Sequence, residues 1–69
     1  MLTDASGNFT WTYPTPFASG VVPVIGLAVE DSTGGNVAHG IISSTNLKVT
    51  GKIAKTVATY VHIVAVAPT

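Results

Sequence analysis

The segment FTWTY, residues 9–13, alternates strictly between aromatic residues and threonine. Successive side chains of a β-strand point to opposite sides, so this period of two predicts a strand with one apolar face. Phe9, Trp11 and Tyr13 would share that face. The following Pro-Thr-Pro, residues 14–16, ends the strand, because proline has no N–H to donate to a neighbouring strand.

Four further segments carry the apolar or alternating pattern of strands and are separated by turn-forming residues: 21–30, 36–43, 47–54 and 57–67. Alternation places Ile25, Leu27 and Val29 on one face of the second strand, and Val37, His39 and Ile41 on one side of the third. In the fourth strand, Leu47, Val49 and Ile53 are expected to face inward, and Lys48, Thr50 and Lys52 outward.

The last predicted strand is apolar on both faces over most of residues 61–67. A strand with this composition is buried on both faces. In a chain of 69 residues, one of those faces is expected to meet another subunit.

Five short strands with turns about every 8–12 residues predict a single all-β domain over residues 1–69, a small antiparallel β-sandwich or barrel. No stretch has helix caps together with apolar residues at helical spacing. Small domains usually need disulfides, a metal or partner chains for stability. The chain has no cysteine, which excludes disulfides.

The composition favours oligomerisation. Hydrophobic residues make up 46% of the chain, charged residues only 9%, and the formal net charge is +0. Soluble domains usually contain about 25% charged residues, and near-zero net charge promotes association. We favour the explanation that part of the surface is buried between subunits, which accounts for the small number of charged residues.

Several functional classes are disfavoured. The three basic residues form no cluster for nucleic acid, and no apolar run is long enough for a membrane helix. Asp4, Glu30 and Asp31 lie in or beside turns, and the adjacent pair would point to opposite faces of a strand, so no acid–base pair is expected. We therefore predict no enzymatic activity, no metal and no cofactor.

The candidate ligand-binding residues are polar groups in loops and apolar strands. The loop from Asp31 to Asn36 offers a carboxylate, hydroxyls and an amide to a saccharide, although such loops are usually only turns. His39 and His62 lie in apolar strands, where a hydrogen-bonded core or interface histidine is the favoured interpretation. The alternative is a histidine at a threefold axis that binds an ion.

The run FTWTYPTPFA (residues 9–18), followed by VPVI (residues 22–25) and a final YVHIVAV (residues 60–66), resembles two related groups of proteins. One group is the C-terminal domains of bacteriophage tail-fibre and minor tail proteins. The other is the H-type lectins, the snail-agglutinin-like sugar binders. The similarity spans nearly the whole chain and depends on the order and spacing of the three pieces.

The resemblance implies a six-stranded antiparallel sandwich, a parallel homotrimer and ligand sites between neighbouring protomers. One segment departs from the pattern of the snail lectins. Where they carry arginine, tryptophan or histidine to grip the sugar, this chain has Lys-Ile-Ala-Lys, residues 52–55. Their amino-sugar specificity is therefore not expected here.

Three functions follow as hypotheses. The first is a homotrimeric tail-fibre tip in the virion that acts outside the cell and recognises a receptor of the host, namely a cell-surface carbohydrate. The second is a structural module that trimerises or caps a fibre. The third, an H-type lectin, is disfavoured because the sugar-gripping residues are missing.

Overall fold

The computed structural model describes residues 1–68, and over that range the chain is all-β, with no helix. Its five strands form two antiparallel sheets, which confirms the predicted fold class. The strands are β1 (Asn8–Thr12), β2 (Val24–Val29), β3 (His39–Ser44), β4 (Lys48–Ile53) and β5 (Val61–Val66).

The predicted strand starts were too early in three cases, because apolar residues also occupy the connecting loops. The predictions 21–30, 36–43 and 57–67 began before β2, β3 and β5 respectively. Val22 and Val57 lie in these leading segments, and their side chains are 52% and 60% exposed. An apolar pattern alone does not distinguish such residues from the first residues of a strand.

One sheet has the order β1-β4-β3, and the other contains only β2 and β5. The core lies between the sheets, and one cluster of its buried residues is formed by Phe9, Ile53 and Val61, which are 4%, 2% and 0% exposed. Leu27, Val29, Val37 and Ile63 are partly buried against it. The fold thus packs a three-stranded sheet against a two-stranded one.

The aromatic face predicted for the first strand is correct. Phe9 and Tyr13 are each 4% exposed, and Trp11 is half-buried. The Tyr13 ring makes edge-on contacts with Trp11 and Phe17, at centroid distances of 5.3 and 5.2 Å. Such edge-to-face pairs are a favoured arrangement of aromatic rings. These rings pack one end of the sandwich.

The inward orientation predicted for Leu47 was wrong. Val49 and Ile53 are buried as expected, but Leu47 is 52% exposed. Leu47 lies in the turn before β4, where its N–H donates to the Thr45 hydroxyl at 3.1 Å. The strand alternation that fixes the direction of Val49 therefore does not extend to Leu47.

A short N-terminal pairing joins the two sheets. Residues 1–3 run antiparallel to residues 59–61, with an isolated bridge between Leu2 and Tyr60. The Thr3 N–H donates to the Thr59 carbonyl at 2.9 Å, and the chain then turns into β1 of the other sheet. The resemblance implied six strands, whereas the described chain has five strands and this bridge.

The outer surfaces of the two sheets differ in character. On the three-stranded sheet, Thr10 lies opposite Thr50, and lysines lie opposite Asn8 and Thr12, so this face is polar. The corresponding surface of the other sheet is mainly apolar. We call it the outer β2–β5 face, and the residues that form it are Leu2, Val24, Gly26, Ala28, Glu30, Tyr60, His62, Val64 and Val66.

Gly51 makes room for the Phe9 ring. The two residues are paired across β1 and β4. A Cβ added at Gly51 would collide with the Phe9 ring and would lie 2.7 Å from the Gly40 carbonyl oxygen. At Gly40 the same addition would meet no atom within 4 Å.

We expect Gly51→Ala to destabilise the protein by about 1–3 kcal/mol, because the core must shift to admit the methyl group. In a domain of this size the melting temperature should fall by roughly 4–8 °C per kcal/mol. Gly40→Ala on the neighbouring strand is the matched control and should change stability by less than about 0.5 kcal/mol. Equal melting temperatures for the two variants would contradict this packing.

Candidate functional site

Four strand ends meet at one end of the sandwich. The pair Val29–Val61 ends the two-stranded sheet, and the pair His39–Ile53 ends β3 and β4. The loops 30–38 and 54–60 therefore emerge side by side. Two backbone hydrogen bonds hold them in place, from Ala54 N–H to the Ala38 carbonyl at 2.8 Å and from Glu30 N–H to the Tyr60 carbonyl at 3.0 Å. We call this region the loop end.

An open cleft of about 490 Å³ lies at the loop end. Its lining combines two carboxylates, an ammonium, two hydroxyls and an aromatic ring, and the residues are Glu30, Asp31, Ser32, Lys55, Ala58, Thr59 and Tyr60. A concave site with a few convergent polar groups is the usual form of a ligand-binding site. We take this cleft as the candidate site.

The Asp31 carboxylate organises the loop that follows it. It accepts hydrogen bonds from the Thr33 hydroxyl at 2.5 Å, the Gly35 N–H at 2.9 Å and the Lys55 ammonium at 3.1 Å. These donors, the Thr33 hydroxyl first and then Lys55, lower the pKa of Asp31 from 3.8 to about 2. Gly34 has a φ of 72°, a left-handed conformation that suits glycine at this turn.

Lys55 connects the two loops of the loop end. Its side chain is 33% exposed, and that of Asp31 is 12% exposed. The contact spans 24 residues of sequence. An ammonium has three N–H donors, so Lys55 can bind Asp31 and still donate to a ligand in the cleft.

The two histidines are exposed within the single chain, so a position in its core was wrong, whereas a position in an interface stays a prediction. His62 Nε2 lies 2.9 Å from Glu30 Oε1, on the outer β2–β5 face. His39 Nδ1 lies 2.8 Å from the Val37 carbonyl oxygen. His39 pairs with Ile53 and so has the core-facing register. It is nevertheless exposed.

The structure brings only some of the predicted site residues together. Asp31 lines the cleft, and His62 contacts Glu30, which also lines it. Asn36 is exposed farther along the Asp31 loop, and neither it nor His39 lines the cleft. The site is therefore built on Asp31, with His62 at its margin.

Lys55 and Tyr60 are site residues that the sequence patterns did not single out. Tyr60 was assigned to the last strand, but it lies just before β5 and is 57% exposed. Lys55 was assigned to a turn. Both residues lie in the segment between β4 and β5. That position could have identified them only if the pairing of the strands had been known.

A second, smaller cavity of about 250 Å³ lies at the opposite end, beside Trp11, Tyr13 and Phe17. The edge-on packing of these rings accounts for its walls, and we assign it no ligand.

Within residues 1–68, no three histidine or carboxylate side chains are grouped so that they could hold a metal ion. The same residues contain no helix long and apolar enough to cross a membrane. Comparisons with protein-family models, curated proteins and solved structures found no match to this chain.

The acid titration of Asp31 tests the geometry of the loop end. Because its folded pKa is below the unfolded value, the stability it contributes is complete above the unfolded pKa of 3.8 and is lost as pH falls towards about 2. Carboxyl-carbon NMR should give an Asp31 pKa near 2. Lys55→Met should raise this value, and an unchanged titration in the variant would show that the ammonium does not contact Asp31.

Proposed function

We propose that the chain is a subunit of a homotrimeric tail-fibre tip domain of a bacteriophage, and that its loop end binds a carbohydrate of the host surface. The observation that supports recognition is the cleft at the loop end, where an exposed aromatic ring stands beside charged and hydroxyl groups. The tail-fibre assignment is based on the order and spacing of residues 9–18, 22–25 and 60–66.

The cleft has the groups that a sugar requires. An aromatic ring such as that of Tyr60 presents an apolar face and a polar hydroxyl, which suits the C–H face and hydroxyls of a pyranose. Lys55 can donate charge-assisted hydrogen bonds, and Glu30 and Asp31 can accept them. Hydrogen bonds to charged groups contribute about 1.5–3 kcal/mol each, so a few of them can orient a weakly held sugar.

The shape of the cleft favours part of a large ligand. It is open on the protein surface, between two loops, and does not enclose its contents. Enclosed pockets bury most of a small ligand, whereas an open cleft can admit one unit of a longer chain. A surface polysaccharide fits this geometry better than a free metabolite.

Of the two lysines in the segment that departs from the snail lectins, only Lys55 lies at the cleft. Lys52 pairs with Asn8 and points away on the polar outer face of the three-stranded sheet. The chain therefore combines Lys55 with Tyr60 from a different part of the sequence. This arrangement supports a sugar specificity different from that of the snail lectins.

A purely structural role is the second candidate. It is favoured by the outer β2–β5 face, which has the apolar character of an assembly surface. In that role the domain would trimerise or cap a fibre in the phage tail without binding a receptor.

We expect Lys55→Met to weaken binding to host cells or to isolated surface glycan at least about tenfold, equivalent to about 1.4 kcal/mol. Lys52→Met removes the same charge outside the cleft and should bind like the unmodified protein. Binding is measured by surface plasmon resonance at fixed ionic strength, and melting curves verify that both variants are folded.

Equal binding by both variants would reject the cleft as the receptor site. Deletion of the domain from the particle separates the two candidate functions. Intact particles that fail to adsorb support receptor recognition, whereas a failure to assemble fibres supports the structural role.

A further inference from the structure

The outer β2–β5 face gathers large apolar side chains that the chain itself leaves uncovered. They include residues from both strands, from the segment before β5 and from the N-terminal bridge. Their exposed fractions lie between 50% and 58%, and the residues are Leu2, Val24, Tyr60, Val64 and Val66. Large exposed apolar side chains that gather on one sheet face indicate an interaction site.

The opposite outer face provides an internal comparison. On the three-stranded sheet the outward positions of β1 and β4 are asparagine, threonine and lysine, as expected for a face in water. In antiparallel sheets one face usually packs on the core while the other is polar. The two-stranded sheet departs from this rule, whereas strands β1 and β4 of the three-stranded sheet follow it.

A shallow groove of about 340 Å³ crosses the outer β2–β5 face beside Gly26, Ala28 and Val64. A Cβ at Gly26 would lie 2.8 Å from Val64 Cγ1, so the glycine makes room for the valine side chain. The small residues of β2 thus leave a depression next to the projecting valines of β5. A face with both depressions and projections can interlock with another protein surface.

The single chain is less compact than is usual for its size. Its radius of gyration is 12.4 Å, and about 11 Å is typical of a domain of this length. Its accessible surface is 4353 Å², against roughly 4,000 Å² for a monomer of its mass. Both differences have the direction expected for a subunit that completes its burial against a partner.

We infer that the outer β2–β5 face binds a second copy of this chain, apart from its margin at Glu30 and Tyr60, which line the cleft. A domain of this size with no cysteine needs a permanent source of burial, and another copy is present wherever the chain is made. Among residues 1–68, the carboxylate on the face is that of Glu30, which already contacts His62. The face therefore does not require a partner of opposite charge.

A second apolar surface favours a ring over a symmetric pair. Ile41 and Ile42 of the edge strand β3 are 42% and 65% exposed, and they lie in the other sheet. A twofold pair would bury one surface on both copies, whereas a closed ring joins two different surfaces of each copy. We place the exposed side chains of Ile41 and Ile42 on one copy against the outer β2–β5 face of the next copy. This ring geometry rests on the proposed function, because a closed ring of three copies is the homotrimer proposed there.

Val64→Asp tests the face, with Thr10→Asp as the matched control. Both positions are central in exposed strand faces, but Thr10 is on the polar face. The unmodified chain and the Thr10 variant should sediment as the same oligomer. The Val64 variant should sediment as the 7.0 kDa monomer or dissociate at a concentration at least tenfold higher. Equal masses for all three proteins at every concentration would overturn the inference.

Single-cysteine variants test the face without introducing a charge. The introduced thiol is then the only one in the protein, because the chain has no cysteine of its own. We expect the thiol of Val64→Cys to react with a maleimide at least tenfold more slowly than that of Thr10→Cys. Dilution until the oligomer dissociates, or urea, should remove the difference. Equal reaction rates for the two thiols in concentrated, folded protein would overturn the inference. Protection of the Val64→Cys thiol only when a different protein is present would overturn it as well.

Glycan binding distinguishes this inference from the proposed function. Loss of the oligomer in Val64→Asp without glycan binding by any variant would reject the receptor role and leave the interface standing. Glycan binding by a protein whose Val64 thiol is fully reactive would reject the interface and leave the receptor role standing.

Discussion

Strand β5 carries apolar side chains on both faces, and the described chain covers only one of them. On the inner face Val61 is fully buried and Ile63 packs on the core. On the outer face Val64 and Val66 are more than half exposed. The hydrophobic effect, at about 25 cal/mol per Å² of apolar surface, favours covering that face.

The core that the chain builds alone is small and depends on close backbone approach. The Phe9 ring occupies the space above Gly51. Gly7 has a φ of 84°, and a side chain there would lie 2.5 Å from the Ile53 carbonyl oxygen. Aspartates close two of the turns. Asp4 accepts hydrogen bonds from the backbone N–H groups of Ser6 and Asn8, much as Asp31 accepts one from Gly35.

The sequence was sufficient for the strands whose pattern reflects burial. Phe9, Tyr13, Val49 and Ile53 were assigned to the correct face because the two-residue period of a strand controls their direction. Strand starts were predicted less well, because loop residues such as Val57 are also apolar.

Contacts that depend on strand pairing could not be predicted from local pattern. Asp31 was identified as a candidate from its loop, but its partner Lys55 lies 24 residues away. The N-terminal bridge to Tyr60 involves too few residues to show a period. His39 is exposed although its pairing with Ile53 gives it a core-facing register, so alternation within β3 did not predict its burial. These features arise from the order of strands in the two sheets.

Sedimentation equilibrium of the unmodified chain over a wide concentration range tests the central claim most directly, because the claim is that β5 is covered by other copies. The account predicts a mass three times that of the 7.0 kDa chain at micromolar concentrations, falling only on strong dilution. A folded protein that retains the mass of one chain throughout the micromolar range would contradict it.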